Sequence, residues 1–384
     1  MIDRRFFLAS AGAAAAFVTL PGMALAKAAT DRRFVFIIQR GAADGLSTVI
    51  PYAEPAYARL RGALAVDTAS ALKLDGTFAL HPSLAKLGEL YAAGEASFFH
   101  AIASPYRDRS HFDGQNVLET GVSAAYQVKD GWMNRLVGML PRRGKDAIAF
   151  SPAVPMALRG SAEVTTYAPS ALPQANEELM LRVEQLYAHD AQLHALWSSA
   201  LDARGMAGET SAGERRQDLA ALGRIAAGFL VRADGPRIAM IETTGWDTHS
   251  GQNARLAGQL KGLDNLIAAL RDGLGGAWSQ TVVLVATEFG RTVAANGTGG
   301  TDHGTGAVAM LVGGAVQGGR VVADWPGLAP ASLHEGRDLK PTLALDRLLA
   351  SACAETFAIE PDRTARVLFP DSARGPSMHK LLRA

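Results

Sequence analysis

The chain contains a single cysteine, Cys353, among its 384 residues. One thiol has no partner for an intramolecular disulfide, and a zinc-thiolate site would need several thiols. Cys353 lies in an apolar stretch, Leu343 to Phe357, with helical periodicity, so we expect a small residue buried in the core. The cysteine content therefore excludes both disulfide-stabilised and zinc-thiolate proteins.

The chain also lacks an excess of charge of either sign. The chain has 38 Lys and Arg residues against 37 Asp and Glu residues, which gives a formal net charge of +1. Proteins that bind nucleic acids usually carry a marked basic excess or a basic stripe. We therefore expect no nucleic-acid partner.

Long apolar runs are missing after the amino terminus, and even the first run, Leu8 to Leu20, is shorter than the roughly 20 residues that span a bilayer. Arg4 and Arg5 precede this run, which is followed by the small-residue sequence Ala24 to Ala26. Residues 1–26 are therefore predicted to be an export signal, and the paired arginines resemble a twin-arginine signal. We expect the twin-arginine export machinery as a partner, a periplasmic or secreted mature protein, and no stable membrane span in its mature form.

Short apolar strands alternate with amphipathic helices along the rest of the chain. The predicted strands are Phe34–Gln39, Ala96–Ala101, Ala147–Phe150, Arg237–Glu242, Val282–Ala286 and Ala307–Val312. The clearest predicted helices are Pro82–Ala93 and Asn253–Leu274. This alternation predicts an α/β fold, a three-layer sandwich with a mostly parallel central sheet.

The pattern changes between residues 174 and 231, where two amphipathic helices are separated by a linker at residues 205–213. We interpret this segment as a helical insertion. The domain that contains it is expected to run from residue 31 to residue 384.

Polar clusters follow the predicted strands, at the edge where open α/β sheets bind ligands. The candidate residues are Arg40, Asp44, Arg109, Ser110, His111, Asp247, His249, Glu288, Arg291, Asp302 and His303. Carboxylates and imidazoles together are typical metal ligands. The structural alternative is that Asp302 and His303 cap a turn and that Glu288 pairs with Arg291.

Ser110 precedes a predicted helix and lies among Arg107, Arg109 and His111. A hydroxyl at a helix amino terminus lies where backbone amides and the helix dipole stabilise developing negative charge, so Ser110 is our candidate nucleophile. The alternative is that Ser110 only caps the helix.

Several motifs carry a resemblance to known proteins. The segments RGAADGL, RSHFDGQ, GWDTHSGQ, TEFGRT and TDHGTG follow one another in the chain. In this order they resemble the alkaline phosphatase superfamily of phosphatases, sulfatases and cofactor-independent phosphoglycerate mutases. They resemble still more closely the exported family called domain of unknown function 1501.

The superfamily resemblance implies two metal sites. One would contain Asp247, His249 and His303, and the other Asp44, Glu288 and the nucleophile Ser110. Asp302 or His111 would be substitute ligands. The ions implied are one or two divalent cations, whether zinc, manganese, magnesium or calcium.

The resemblance further implies that Arg40, Arg109 or Arg291 holds the remaining oxygens of a small anionic ester. The sequence departs from the phosphatase pattern at Phe289, where the phosphatases have a histidine ligand. A sulfatase-type Pro-x-Arg sequence does not follow Ser110, which favours phosphate over sulfate esters.

The leading hypothesis is therefore an exported, metal-dependent hydrolase of a phosphate or sulfate ester with a serine nucleophile. The alternative is a non-catalytic periplasmic protein that retains the fold and a metal, and that serves in binding or envelope assembly.

Overall fold

The computed structural model describes residues 31–141, 146–168, 177–188, 190–207, 218–371, 378 and 380–383. The predicted export signal, residues 1–26, lies outside the described residues, as do residues 208–213 of the expected linker.

A mixed sheet of nine strands forms the centre of the molecule, and a three-stranded sheet lies beside it. The strands are β1 Arg33–Gln39, β2 Val49–Ile50, β3 Leu72–Lys73, β4 Ala79–Leu80, β5 Ala96–Ala103, β6 Ala147–Phe150, β7 Thr165–Thr166, β8 Ile238–Thr243, β9 Thr281–Ala286, β10 Ala307–Val312, β11 Arg320–Val322 and β12 Leu343–Ala344. The large sheet has the order β11-β5-β10-β9-β1-β8-β6-β7, with β12 paired to β5, and the small sheet has the order β2-β4-β3.

One strand of the large sheet runs against the others. β10 is antiparallel to both of its neighbours, β5 and β9, whereas the remaining pairs are parallel. The residues just before β10 therefore lie at the same edge as the residues just after β1, β5, β8 and β9. This direction brings the loop containing His303 to the carboxyl-end edge.

Helices cover both faces of the sheet. They are α1 Gly45–Thr48, α2 Tyr57–Arg61, α3 Ala85–Ala92, α4 His111–Thr120, α5 Trp132–Met139, α6 Glu177–Tyr187, α7 Ala191–Ala207, α8 Leu219–Leu230, α9 Gln252–Leu274, α10 Leu345–Phe357 and α11 Pro361–Leu368. Successive side chains of β1 point to opposite faces, so Phe36 packs with Trp132 of α5 and with α10, while Ile37 packs with α8 and α9. The predicted three-layer α/β sandwich with a mostly parallel sheet is confirmed.

Within its described residues, the segment interpreted as an insertion contains the helices α6, α7 and α8. The last of them, α8, does not stand apart from the sandwich. Ile225, Phe229 and Leu230 are buried in the core with α9. Apolar residues on nearly every turn of α8 make it part of the covering layer.

Cys353 is buried in the core and free, which agrees with the composition argument. Within the described residues, no helix is both long and apolar enough to cross a membrane.

Candidate active site

The loops at the carboxyl-end edge bring three predicted residues together. Ligand atoms of His111, Asp247 and His303 all lie within 4.8 Å of one another. His249 joins them, because its Nε2 lies 3.0 Å from Nε2 of His303 and 3.0 Å from Oδ1 of Asp247. These four side chains come from the first residue of α4 and from two loops, and the three segments are far apart in the sequence.

The pairing of β9 with β10 continues into the site. Arg291, after β9, and His303, before β10, form an antiparallel bridge beyond the two strands. Opposed residues of such a bridge are neighbours. Both side chains reach Asp247, with Nη1 of Arg291 at 2.6 Å from Oδ1 and Nε2 of His303 at 3.3 Å from it. Arg291 therefore orients the carboxylate that faces the histidines.

The loop that carries Asp247 is positioned by its close packing against the backbone at Gly41. Gly41 has φ of +120°, and a Cβ atom there would lie 2.6 Å from the backbone nitrogen of Asp247. Only glycine tolerates this combination of conformation and crowding. The sharp turn after β1 thus sets the position of Asp247.

Each of the three histidines is anchored through Nδ1. His111 Nδ1 lies 2.8 Å from Oε1 of Glu288, and His303 Nδ1 lies 2.9 Å from the carbonyl oxygen of Arg109. His249 Nδ1 lies 3.1 Å from Oδ1 of Asp302. Glu288 and Asp302, both expected as ligands, therefore lie behind the histidines.

The carboxylate of Glu288 is fully buried and has many partners. Its Oε1 also accepts hydrogen bonds from the backbone of Gly41 at 2.8 Å and from Gln115 at 3.0 Å. Burial by itself would raise the pKa of Glu288, but the bonds from His111 and Gln115 outweigh it, so the pKa is lowered. Glu288 is therefore an anionic acceptor at neutral pH.

The pKa values of two of the imidazoles shift in opposite directions. The hydrogen bond to Glu288 raises the pKa of His111, and burial lowers the pKa of His303. For Asp247, burial opposes ionisation, but the hydrogen bond and charge of Arg291 lower the pKa.

These residues fit a divalent cation. His111 Nε2 is buried without a hydrogen-bond partner among the described residues and lies 3.5 Å from Oδ2 of Asp247. Buried polar atoms are nearly always satisfied, so an orphaned ring nitrogen beside a carboxylate indicates a missing partner. Imidazole nitrogen and carboxylate oxygen are suitable donors for such an ion.

Ser110 lies beside this group. It is the N-cap residue of α4, yet its side chain makes no capping bond to a described residue. Its neighbours on both sides belong to the site, because the carbonyl of Arg109 holds His303 and the ring of His111 faces Asp247. The Ser110 hydroxyl therefore takes no part in capping α4.

Asp44 occupies a different environment from the one expected for a ligand. Its carboxylate is buried and pairs with Arg61, at 2.5 and 2.9 Å, while Gln252 donates to it at 2.5 Å. Asp44 also caps α1 by accepting from the backbone of Leu46 and Ser47. These contacts engage both of its oxygens in structural bonds.

The three arginines expected to hold an ester are all paired with carboxylates. Arg40 contacts Glu119 at 2.8 Å and also Glu242, and Arg109 contacts Asp338 at 2.9 Å and also Glu335. The third, Arg291, holds Asp247.

Phe289 is buried behind the imidazoles. Its ring stacks on His111, with centroids 5.1 Å apart, and contacts His303 at 5.3 Å. Phe289 therefore limits how these rings can turn.

Four residues that form hydrogen bonds or ion pairs with the predicted site residues were not predicted from the sequence, namely Arg61, Gln115, Gln252 and Asp338. Asp338 binds the side chain of Arg109 from 229 positions away in the sequence. Gln115 and Gln252 had a local signal, since they are the last residues of the motifs RSHFDGQ and GWDTHSGQ.

A model of the family described as "Protein of unknown function (DUF1501)" matches residues 31–368. No functionally curated protein matches the chain.

Three solved structures illustrate the distant similarities of this chain. The zinc complex of the C-terminal periplasmic domain of EcEptC from Escherichia coli is 10% identical, with 93% of each chain covered and a TM-score of 0.44. The phosphonate monoester hydrolase of Agrobacterium radiobacter is 12% identical, with 90% of this chain and 78% of that chain covered and a TM-score of 0.37. A 2-O GAG sulfatase is 12% identical, with 89% and 75% covered and a TM-score of 0.40. Similarities this remote carry no argument about function.

Proposed function

The chain belongs to the DUF1501 family, and we propose that it is an exported, metal-dependent hydrolase that cleaves a phosphate or related anionic ester with Ser110 as nucleophile. The observation that carries the proposal is the position of Ser110 between Arg109, whose carbonyl oxygen contacts His303, and His111, which belongs to the histidine and aspartate cluster. A cation there would neutralise negative charge on the reacting oxygens.

The chain itself would supply three further contributions. The amino end of α4 favours negative charge at Ser110 through its free amides and dipole. The hydroxyl oxygen would form a bond to phosphorus or sulfur while the ester oxygen leaves as the alcohol, and water would then release the anion from the serine. The ring of His111, on the residue next to Ser110, would help to hold the cation through Nε2, while water would take the serine proton and supply the proton that the leaving oxygen needs.

A rival function has its own support. Because Arg40, Arg109 and Arg291 are all paired with carboxylates, none of the three is free to bind an ester anion. This arrangement favours a non-catalytic periplasmic protein that binds a metal and serves in envelope assembly.

Ester hydrolysis distinguishes the two proposals. Purified mature protein, supplied with zinc or manganese, should hydrolyse members of a panel of phosphate and sulfate esters, and Ser110→Ala should lower kcat by at least about 1000-fold because the nucleophile is lost. Ser123→Ala, which removes an exposed hydroxyl bonded to Asp371, is the matched control and should keep full activity. Bound metal without turnover that depends on Ser110 would support the rival.

Export is tested separately. Replacing both Arg4 and Arg5 by lysine should retain the protein in the cytoplasm, because a twin-arginine signal requires the pair. Fractionation of cells that express the full chain measures this, and unchanged export of the variant would contradict the proposal.

A further inference from the structure

We propose that this site is a mononuclear, nitrogen-rich centre, in which the Nε2 atoms of His111, His249 and His303 and the carboxylate of Asp247 hold one first-row divalent ion. The inference rests on the proposed metal dependence and deepens it, because it gives the number of ions and their chemical class. It replaces the two-site arrangement that the superfamily resemblance implies.

The tautomers of the histidines follow from their partners. The Nδ1 atoms of His111, His249 and His303 face two carboxylates and a backbone carbonyl, which only accept hydrogen bonds. Each Nδ1 must therefore carry the proton, and each neutral ring has its lone pair on Nε2. Metal-binding histidines are commonly fixed in this way by a second acceptor.

The three Nε2 atoms converge on Asp247. They lie 3.5, 3.0 and 3.3 Å from its carboxylate oxygens, for His111, His249 and His303 respectively. Nε2 of His249 and Nε2 of His303 are 3.0 Å apart. Lone pairs of neutral rings repel one another at this separation, and a cation bound between the rings would remove that repulsion.

The spacing suits one small ion. For bonds of about 2.0 to 2.1 Å, tetrahedral ligands lie about 3.3 Å apart. The separations of 3.5, 3.0 and 3.3 Å between the three Nε2 atoms and the carboxylate of Asp247 are close to this value. Calcium prefers six to eight oxygen ligands at about 2.3 to 2.6 Å. Three imidazoles and one carboxylate therefore favour zinc, iron or nickel over calcium, magnesium or manganese.

Donors for a second ion are already engaged. Glu288 uses Oε1 for His111, Gly41 and Gln115, and uses Oε2 to accept from Thr287 at 3.0 Å. Asp44 is neutralised by Arg61. Among the described residues, both oxygens of each carboxylate thus already have hydrogen-bond partners.

Metal stoichiometry tests the inference. Mature protein stripped with a chelator and then dialysed against zinc should retain one ion per chain, measured by elemental analysis. The same protein preloaded with calcium should exchange it for equimolar zinc. Two tightly held ions per wild-type chain, or preference for calcium, would overturn the proposal, and this result does not depend on any variant folding.

Substitutions then separate ligands from supporting groups. His249→Gln and His303→Gln should weaken zinc binding by more than about 100-fold, whereas Glu288→Gln should weaken it by about 10 to 100-fold and still bind one ion. His194→Gln, an exposed histidine in α7, is the matched control and should bind like wild type. Equal affinity in His249→Gln, His303→Gln and the control, with near-ultraviolet circular dichroism confirming native folds, would overturn the assignment.

Turnover of an ester, measured on the same preparations, keeps the two proposals distinct. One ion without turnover would support this centre and contradict the hydrolase. Turnover with two ions would do the reverse.

Discussion

Arg109 has an unusual backbone conformation next to the proposed nucleophile. Its φ of +64° lies in the left-handed region, which costs a residue with a side chain on the order of 1 to 3 kcal/mol. Its side chain is held by Asp338 and Glu335, and its carbonyl accepts from His303. These contacts stabilise a turn that presents Ser110 and fixes one histidine at once.

A single buried histidine away from the site, His100, contributes to the pH dependence of folding stability. His100 is fully buried, donates from Nε2 to the carbonyl of Val49 at 2.9 Å and accepts the amide of Ala101 at Nδ1. Burial lowers the pKa of His100 from 6.5 to about 4. The unfolded chain therefore binds this proton more readily than the folded chain between these pH values.

The sign of the pH effect follows from that difference. The stability contribution of neutral His100 is complete above pH 6.5 and is lost as the pH falls towards 4, by about 3 kcal/mol in total. His100→Gln should lose correspondingly less stability than wild type over this range in urea denaturation. The exposed control His194→Gln should follow wild type, and a parallel pH dependence for His100→Gln would contradict the prediction.

At the scale of elements, the direction of β10 decides how the site forms. The strands themselves were predictable, because β1, β8, β9 and β10 are short, buried and rich in β-branched or other apolar residues. The antiparallel direction of β10 depends on its two neighbours and had no local signal. Yet this direction brings the loop that precedes the strand to the edge where Glu288 follows β9.

The turn after β1 yields a prediction about Asp247. Gly41→Ala would place a Cβ atom 2.6 Å from the nitrogen of Asp247 in a conformation unsuited to alanine. We expect zinc affinity to fall by at least about 10-fold as the loop moves, as for other losses of ligand orientation.

Gly62→Ala provides the matched control for this change. Gly62 also has positive φ, +52°, but a Cβ atom there meets nothing within 4 Å. The Gly62→Ala substitution should lower the free energy of unfolding by about 1 kcal/mol and leave zinc affinity unchanged. Equal effects of the two substitutions on zinc affinity would show that Gly41 does not position Asp247.

At the scale of the whole molecule, a buried hydrogen-bond network connects α2 with the site. It runs from Arg61 through Asp44, Gln252 and Thr301 to Arg291, which holds Asp247. The side chains of Asp247, His249 and His303 could be identified as candidate metal ligands from their sequence motifs. The pairing of Asp44 with Arg61 was not, since nothing near either residue in the sequence indicates that the two charges meet in the core.

This network predicts that Asp44 stabilises the fold without binding metal. Asp44→Ala leaves the charge of Arg61 buried and unpaired, which should lower the free energy of unfolding by about 3 to 5 kcal/mol. The folded fraction should still bind one zinc ion per chain. Urea denaturation and elemental analysis measure the two quantities.

A second substitution controls for the loss of charge pairing. Adding Arg61→Met to Asp44→Ala removes the unpaired charge and should recover part of the stability. Loss of one of two bound ions in Asp44→Ala, with stability intact, would instead identify Asp44 as a ligand.

Anomalous diffraction at the zinc edge, from crystals of the mature protein grown with zinc, shows directly how many ions each chain binds and where. We expect one strong peak per chain, bounded by Nε2 of His111, His249 and His303 and by the carboxylate of Asp247, beside Ser110. Two peaks, or a peak bound by Asp44 or Glu288, would contradict it.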